Sequence, residues 1–186
     1  MNLSQEHIDF ENKIQQIVGL TLLKVEYLEI DYEPRNPIPY YKSQFKEIDT
    51  IDFSIILQTD KNKIEFYWDG QFYQFGIGIR FNEINETATG RKWDVSNDDL
   101  WEKFIGQKIE NFNLTWEEVR TYEEKRGKSD KFIYPQDIRI NFSNNKSIFI
   151  SAAGFLNEDD NEVMGLLDNL TVTDNESLAR QVKMIT

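Results

Sequence analysis

The hydrophobic pattern at the start of the chain is that of a helix with one apolar face. Apolar residues recur there at intervals of three or four positions: Phe10, Ile14, Ile17 and Val18. Ser4 is a favourable N-cap residue and Gly19 is a favourable stop. The pattern therefore predicts an amphipathic helix over residues 5–18.

Beyond Gly19 the apolar repeat changes from that of a helix to that of a strand. Apolar and charged residues now alternate: Leu23, Val25 and Tyr27 with Lys24 and Glu26. Such alternation is typical of a β-strand that buries one face and exposes the other. We therefore predict that a strand follows the helix directly.

The same order of features returns 87 residues later, which is the separation between Gly19 and Gly106. Ser96 and Asp99 have the spacing of a capping box, which predicts a second helix that ends at Gly106. The apolar positions of this helix and of the strand after it are Trp101, Phe104, Ile105, Ile109, Phe112 and Leu114, with one shift of register before Phe112.

Each half continues with two short β-type runs joined by a polar turn: DFSIILQ and IEFYW in the first half, DIRINF and IFISA in the second. We predict a single α+β, β-rich domain over residues 1–186, with antiparallel sheets from two pseudo-repeated helix-strand-hairpin halves around one core. The halves are residues 4–81 and 96–173, and the tail, residues 174–186, closes with a short helix. Alternatively, two amphipathic segments resemble each other without any duplication.

Two polar stretches interrupt the pattern. DYEPRNPIPYYKSQF, residues 31–45, combines three prolines with three tyrosines. This composition suits recognition, but it equally suits a well-packed connection across a sheet edge. EEVRTYEEKRGKSDKFIYP, residues 117–135, is highly charged, and we expect it to be a mobile loop.

The chain is acidic, with 33 acidic residues against 21 basic ones and a formal charge of −12. This charge repels phosphate backbones and anionic lipids, so we expect neither nucleic-acid nor membrane binding. The absence of cysteine excludes disulfides and thiolate chemistry. The N-terminus lacks the basic and apolar regions of a secretion signal, so we expect a cytoplasmic protein.

No motif in the chain indicates catalysis, a metal site or a cofactor. His7 is the only histidine, and Asp98, Asp99 and the NEDDNE run at 157–162 lack the ligand spacing of a calcium loop. We interpret NEDDNE as a solvated turn, and Asp98 and Asp99 as acids that favour the start of a helix. Of the four tryptophans, we expect Trp101 to be buried and Trp93 to be the most exposed.

Two segments carry a family resemblance. FIGQKIENFNLTW with DIRINFSNNKSIFISA, and more loosely IVGLTLLKVEY with the first hairpin, resemble a group of small acidic bacterial proteins. Some members of this group are encoded beside toxins and act as immunity proteins. The shared motifs are structural, so the resemblance implies a binding role and transfers no catalytic residue.

Three hypotheses follow. The first is a non-enzymatic protein-binding module, such as an immunity protein that neutralises a basic toxin. The second is a small-molecule-binding protein or carboxylate-dependent hydrolase with a cleft between the halves, for which two facing carboxylates would be the signature. The third is a subunit that pairs through an exposed strand edge. For the first hypothesis the predicted contact residues are Tyr40, Tyr41, Trp93, Glu158, Asp159 and Asp160.

Overall fold

The computed structural model of the chain describes residues 2–32, 35, 37–83, 90–123 and 128–185, without the side chains of residues 123 and 128. The described residues form two five-stranded sheets and one two-stranded sheet. Two short α-helices accompany them, so the predicted α+β, β-rich class with antiparallel sheets is confirmed. Among these residues, no helix has the length and apolar character that crossing a membrane requires.

The helices and strands are short apart from one long hairpin. Helix α1 spans Gln5–Ile14 and α2 spans Glu176–Gln181, and the two 3-10 turns are Gln15–Ile17 and Glu102–Phe104. The strands are β1 Leu22–Ile30, β2 Asp49–Ile51, β3 Ser54–Thr59, β4 Lys63–Asp69, β5 Gly76–Phe81, β6 Gly90–Asp94, β7 Ile109–Glu123, β8 Lys128–Phe142, β9 Ser147–Ser151, β10 Ala153–Gly154, β11 Met164–Gly165 and β12 Leu170–Thr173.

The two large sheets agree in the order of four of their five strands. The first runs β5-β4-β3-β1-β6 and the second runs β2-β12-β9-β8-β7, with antiparallel pairing throughout. Without the edge strands β6 and β2, each sheet is a four-stranded meander. Strand β2 belongs to the first half of the chain but pairs with β12 in the second sheet. The two halves are therefore interlocked.

The two predicted stop glycines lie at the point where the sheets cross. Both have positive φ, 88° at Gly19 and 81° at Gly106, a region that favours glycine. The Gly19 amide donates to the Ile109 carbonyl at 2.8 Å, and the Gly106 amide donates reciprocally to the Leu22 carbonyl at 2.7 Å. An isolated antiparallel bridge joins Thr21 to Lys108 at the same place. The two strand starts thus have matching environments.

The main hydrophobic core draws on both sheets. Its fully buried side chains include Ile14, Tyr27, Ile55, Phe66, Trp101, Phe104, Ile138 and Phe142. As predicted, Trp101 is buried. Its indole N–H donates to the Tyr27 hydroxyl at 2.6 Å, and that hydroxyl donates to Asp49 at 3.0 Å. A smaller cluster beneath α2 includes Ile48, Phe149 and Val182.

Both helix predictions need correction. Helix α1 ends at Ile14 and continues only as a 3-10 turn. The helix predicted after Ser96 is wrong, because this segment forms turns and one 3-10 turn at Glu102–Phe104. The Ser96 hydroxyl accepts from the Val25 amide at 3.0 Å and donates to Asp94 at 2.7 Å, so it is engaged in sheet contacts instead of capping a helix.

The first strand also departs from the predicted alternation. The alternation predicts Leu23 on the buried face, but it is 52% exposed and Leu22 is buried instead. A bulge between Leu22 and Lys24 shifts the register there. The register shift predicted in the second half is confirmed by a bulge between Ile109 and Asn111.

The charged stretch at 117–135 is mostly a hairpin, so the loop prediction is wrong. Strands β7 and β8 pair as far as Glu123 and Lys128, and residues 124–127 lie outside the described part. The charges of this ribbon pair across the two strands, since Lys131 lies 2.6 Å from Glu118. The ribbon extends beyond β9 and packs on the turn before β5, where the rings of Tyr73 and Phe132 stack at 4.7 Å.

The helix predicted in the tail is confirmed. Helix α2 begins after Asn175, whose side chain accepts a hydrogen bond from the Leu178 amide at 3.1 Å. This is the usual N-cap arrangement.

Candidate functional site

A cleft of about 410 Å³ opens between parts of the chain that are distant in sequence. One wall comes from the end of β1, the segment after it and the turn before β3. The other wall comes from the acidic turn that follows β10. Residues that give the cleft its character are Glu29, Tyr32, Tyr40, Asp52, Leu156 and Glu158.

Glu29 is a buried carboxylate in this cleft. It is 1% exposed, and its Oε2 accepts a hydrogen bond from the Tyr40 amide at 3.1 Å. Its Oε1 has no hydrogen-bond partner among the described residues. Burial raises the pKa of Glu29 to about 7, the Tyr40 hydrogen bond opposes the rise, and the charge of Asp52 adds to it. Glu29 therefore exchanges protons near neutral pH.

Asp52 is the second carboxylate of the cleft. It lies in the turn between β2 and β3 and accepts a hydrogen bond from the Ile30 amide at 3.1 Å. Burial raises the pKa of Asp52, and the hydrogen bond from Ile30 opposes the rise. The hairpin geometry thus brings Asp52 to the end of β1, beside Glu29.

Two tyrosine rings form the rim of the cleft. Tyr32 is 62% exposed and Tyr40 is 42% exposed, and the rings meet edge to face with centroids 5.9 Å apart. Aromatic rings above carboxylates provide both a π surface and negative charge. This combination suits a cationic group.

Three of the predicted contact residues lie at or beside the cleft. Tyr40 and Glu158 line it, and Asp159 is exposed in the same turn. Asp160 accepts a hydrogen bond from the Asn157 amide at 2.9 Å, so it shapes the turn. NEDDNE is a solvent-facing turn, as we interpreted it.

The other two predicted residues lie elsewhere. Tyr41 is 7% exposed and packs edge-on against Tyr27 at 4.9 Å, which leaves it little area for a partner. Trp93 is half-buried on β6, opposite Tyr27, and packs against the core. Its indole N–H has no hydrogen bond of ordinary geometry among the described residues, although it favours the charged form of Glu29.

Glu29, Asp52 and Tyr32 are not among the contact residues predicted from the sequence. For Glu29 a signal was present, because it has the same parity along β1 as Val25 and Tyr27 and therefore belongs to the buried face. A glutamate at a core position is costly unless it has a partner or a function. Asp52 carries no comparable signal, since its position depends on the turn.

The remaining candidates have structural environments. His7 packs between the rings of Phe72 and Trp116, at 4.8 and 4.6 Å. Asp98 does not start a helix and shares Lys42 with Asp49, at 3.2 and 3.1 Å. Within the described ranges, no three histidine or acidic side chains are placed to hold a metal ion.

Comparison with known proteins adds no assignment. No family model matches the chain, and no curated protein or solved structure matches it.

Proposed function

We propose that this chain is a non-enzymatic protein-binding module, of the kind in which an immunity protein neutralises a basic toxin, and that its cleft receives a cationic side chain of the partner. The observation that carries the proposal is that Glu29 and Asp52 line one cleft together with the exposed rings of Tyr32 and Tyr40. Carboxylates and ring faces both favour a lysine or arginine head group.

The energetic balance supports a charged ligand. Hydrogen bonds to charged groups contribute about 1.5–3 kcal/mol each, and a cation over an aromatic ring adds about 0.5–2 kcal/mol. A bound cation would also stabilise the ionised forms of Glu29 and Asp52. The net charge of −12 would accelerate the encounter with a basic partner and make it salt-dependent.

The acidic turn contributes negative charge on the other wall of the cleft. Glu158 and Asp159 are exposed there and carry charge without filling the cleft. Such rim charges mainly steer association, while Glu29 and Asp52 in the cleft determine which group fits. The resemblance of FIGQKIENFNLTW and DIRINFSNNKSIFISA to toxin-immunity proteins agrees with this role.

We also infer that the halves 4–81 and 96–173 are diverged copies of one unit. The reciprocal hydrogen bonds of Gly19 and Gly106, the matching bulges after Leu22 and Ile109, and the common order of four strands support this inference. The cleft would then lie where the two copies differ most.

A hydrolase or small-molecule-binding protein is the second candidate. One observation favours it: Glu29, with a pKa of about 7, lies beside Asp52, as a general acid with a nearby carboxylate requires. However, Glu29 is nearly inaccessible and its Oε2 is occupied by the Tyr40 amide. A binding role needs only its charge.

The test uses a small cationic probe and its neutral isostere. Acetylated and amidated Gly-Arg-Gly, titrated into the full chain, should shift the ring resonances of Tyr32 and Tyr40, whereas the citrulline peptide should not. Asp52→Asn keeps an oxygen that accepts from the Ile30 amide but removes the charge. This variant should weaken binding of the arginine peptide by about tenfold. Glu102→Gln, at an exposed acid away from the cleft, serves as the matched control.

Equal shifts with the citrulline peptide, or unchanged binding in Asp52→Asn, would contradict the proposal. Turnover of a chromogenic glycoside or ester that Glu29→Gln abolishes would favour the second candidate. At the level of the whole protein, a basic partner recovered from the native host should be released by salt and lost in Asp52→Asn.

A further inference from the structure

Strand β7 is the long open edge of the second sheet. Beyond its first residue, β8 is the only strand hydrogen-bonded to it among the described residues. The other sheet edges are shorter or covered: β2 has 3 residues, β6 has 5, and β5 packs beside β8. An unpaired strand edge is a template for another strand.

The strand of the first sheet that corresponds to β7 is β1. There β1 pairs with β3 directly after the Leu22 bulge, in the way that β7 pairs with β8 directly after the Ile109 bulge. The outer edge of β1, however, is covered by β6, which pairs antiparallel with Glu26–Ile30. The second sheet has no such strand on β7 within the described ranges.

The direction of the free backbone groups follows from this correspondence. Val25 directs its N–H to the Ser96 hydroxyl at 3.0 Å and its C=O to the Val95 amide at 3.1 Å, both on the β6 side. Val25 follows Gly19 by 6 residues, and Phe112 follows Gly106 by 6 residues. Phe112 and then Leu114 therefore present their N–H and C=O groups at the outer edge of β7.

This part of the edge lacks the usual protection against pairing. Residues 112–116 contain no charged residue and no proline, and the nearby bulge on this ribbon places its extra residue on β8. Acidic residues flank the uncharged segment, Glu110 on one side and Glu117 with Glu118 on the other. The edge thus combines free hydrogen-bonding groups with negative charge at both ends.

Strand β6 indicates the chemistry of the strand that fits. It brings Arg91, Lys92 and Trp93 against the acidic strand β1, with Arg91 opposite Glu29 in the register. The Arg91 guanidinium also pairs with Asp31 at 2.6 Å, at the end of β1. A basic, aromatic strand is therefore what the first sheet already carries at this edge.

We propose that the outer edge of β7 over residues 112–116 is a docking site for an extended basic segment of a partner protein, which adds antiparallel to the second sheet as β6 does to the first. This site is separate from the tyrosine-rimmed cleft and does not depend on the function proposed for it. A second copy of this chain fits less well, because antiparallel pairing of two β7 edges would place their acidic flanks side by side.

The test measures amide exchange in the full chain. The probe is the peptide Lys-Val-Lys-Val-Trp-Val-Lys-Val-Lys, and the control peptide has glutamate at every lysine position. The basic peptide should slow exchange at Phe112 and Leu114 by about tenfold, because each amide gains a hydrogen bond. Asn113, whose amide faces β8, should not change.

Two variants separate the backbone contact from the charge. Leu114→Pro removes one outward N–H and should abolish the effect of the basic peptide, while Leu114→Ala keeps that N–H and should retain it. If Leu114→Pro fails to fold, the pair Glu110→Lys and Glu117→Lys serves instead, and this double variant should bind the acidic peptide in preference to the basic one.

Three outcomes would overturn the proposal. The first is unchanged exchange at Phe112 and Leu114 at millimolar basic peptide. The second is equal binding of the two peptides. The third is concentration-dependent dimerisation that protects these same amides without any peptide, since the occupant would then be a second copy of the chain.

Discussion

The first hairpins of the two large sheets differ in how far their strands stay paired. In the first half, β1 and β3 pair from Leu22 to Leu28 and then separate around a segment that contains the tyrosine-rich stretch. In the second half, β7 and β8 pair over the matching positions and continue as a ribbon to Glu123. The cleft lies where the first hairpin opens.

Residues at equal distances from the two glycines differ in character at this point. Glu29 and Trp116 each follow their glycine, Gly19 or Gly106, by 10 residues. Trp116 stands opposite Pro135 in the ribbon and packs against Phe10 and Phe72, whereas Glu29 lies beside Asp52 in the cleft. These corresponding positions thus carry an apolar brace in the second half and an acid of the cleft in the first.

The largest effect is expected at the shared core. Trp101 and Ile14 each precede their glycine by 5 residues, and both are fully buried. Trp101→Ala should lower the free energy of unfolding by about 3–5 kcal/mol and Ile14→Ala by about 2–4 kcal/mol. Urea unfolding of both variants is the measurement. A loss confined to one of them would break the comparison between the halves.

The next largest effect is a pH dependence of stability that comes from Glu29 in the first half. Glu29 has a pKa of about 7 in the folded chain against an ordinary value of 4.5, so the folded state binds more protons between these values. Stability should therefore fall as the pH rises through this window, by about 3 kcal/mol. Glu29→Gln should remove this loss, as read from urea unfolding at a series of pH values.

Asp137 of the second half provides the matched control for this titration. Burial raises its pKa to about 6 from 3.8, opposed by the hydrogen bond from Thr115. Asp137→Asn should therefore flatten the lower part of the pH profile and leave the fall near neutral pH in place. Identical profiles for both variants would mean that neither acid controls its assigned window.

A smaller and symmetric effect is expected at the two glycines. Alanine at a positive φ costs about 1–2 kcal/mol, and both glycines have open space where a Cβ would lie. Gly19→Ala and Gly106→Ala should therefore destabilise the chain by similar amounts in thermal unfolding. A large cost at only one glycine would show that the two crossings are not alike.

The smallest effect is expected in the ribbon. Glu118 pairs with Lys131 at 2.6 Å and with Arg120 at 2.9 Å, and Lys131 and Glu118 lie near solvent. Exposed ion pairs contribute little to stability. Glu118→Gln should leave the unfolding midpoint unchanged within error, and a clear shift would give the ribbon charges a structural role that their exposure does not support.

The sequence predicted the framework better than the site. Alternation and glycine placement located β1, β3, β4, β8 and β9, because one buried face imposes a repeat of two residues. The helix predicted after Ser96 does not form, because the Ser96 hydroxyl binds the Val25 amide in the sheet and does not cap a helix. The ribbon was predicted as a loop because its residues are mostly polar and charged. In the structure these charges face each other across two strands.

The candidate site was predicted only in part, because it depends on long-range strand pairing. Tyr40 and Glu158 were named from composition, and the structure places both in the cleft. Glu29 and Asp52 meet through long-range pairing that a local pattern does not encode, although the parity of Glu29 on β1 marked it as an inward residue. Buried acids on an otherwise apolar face are thus a usable signal in such sequences.

The position of β2 in the second sheet determines how the chain responds to cleavage between its halves. Because three residues of the first half complete the edge of the other sheet beside β12, a cut between the halves would leave one fragment with an unsatisfied strand and the other with a missing border. The two fragments should therefore reconstitute when mixed, as a split reporter does, more readily than either persists by itself.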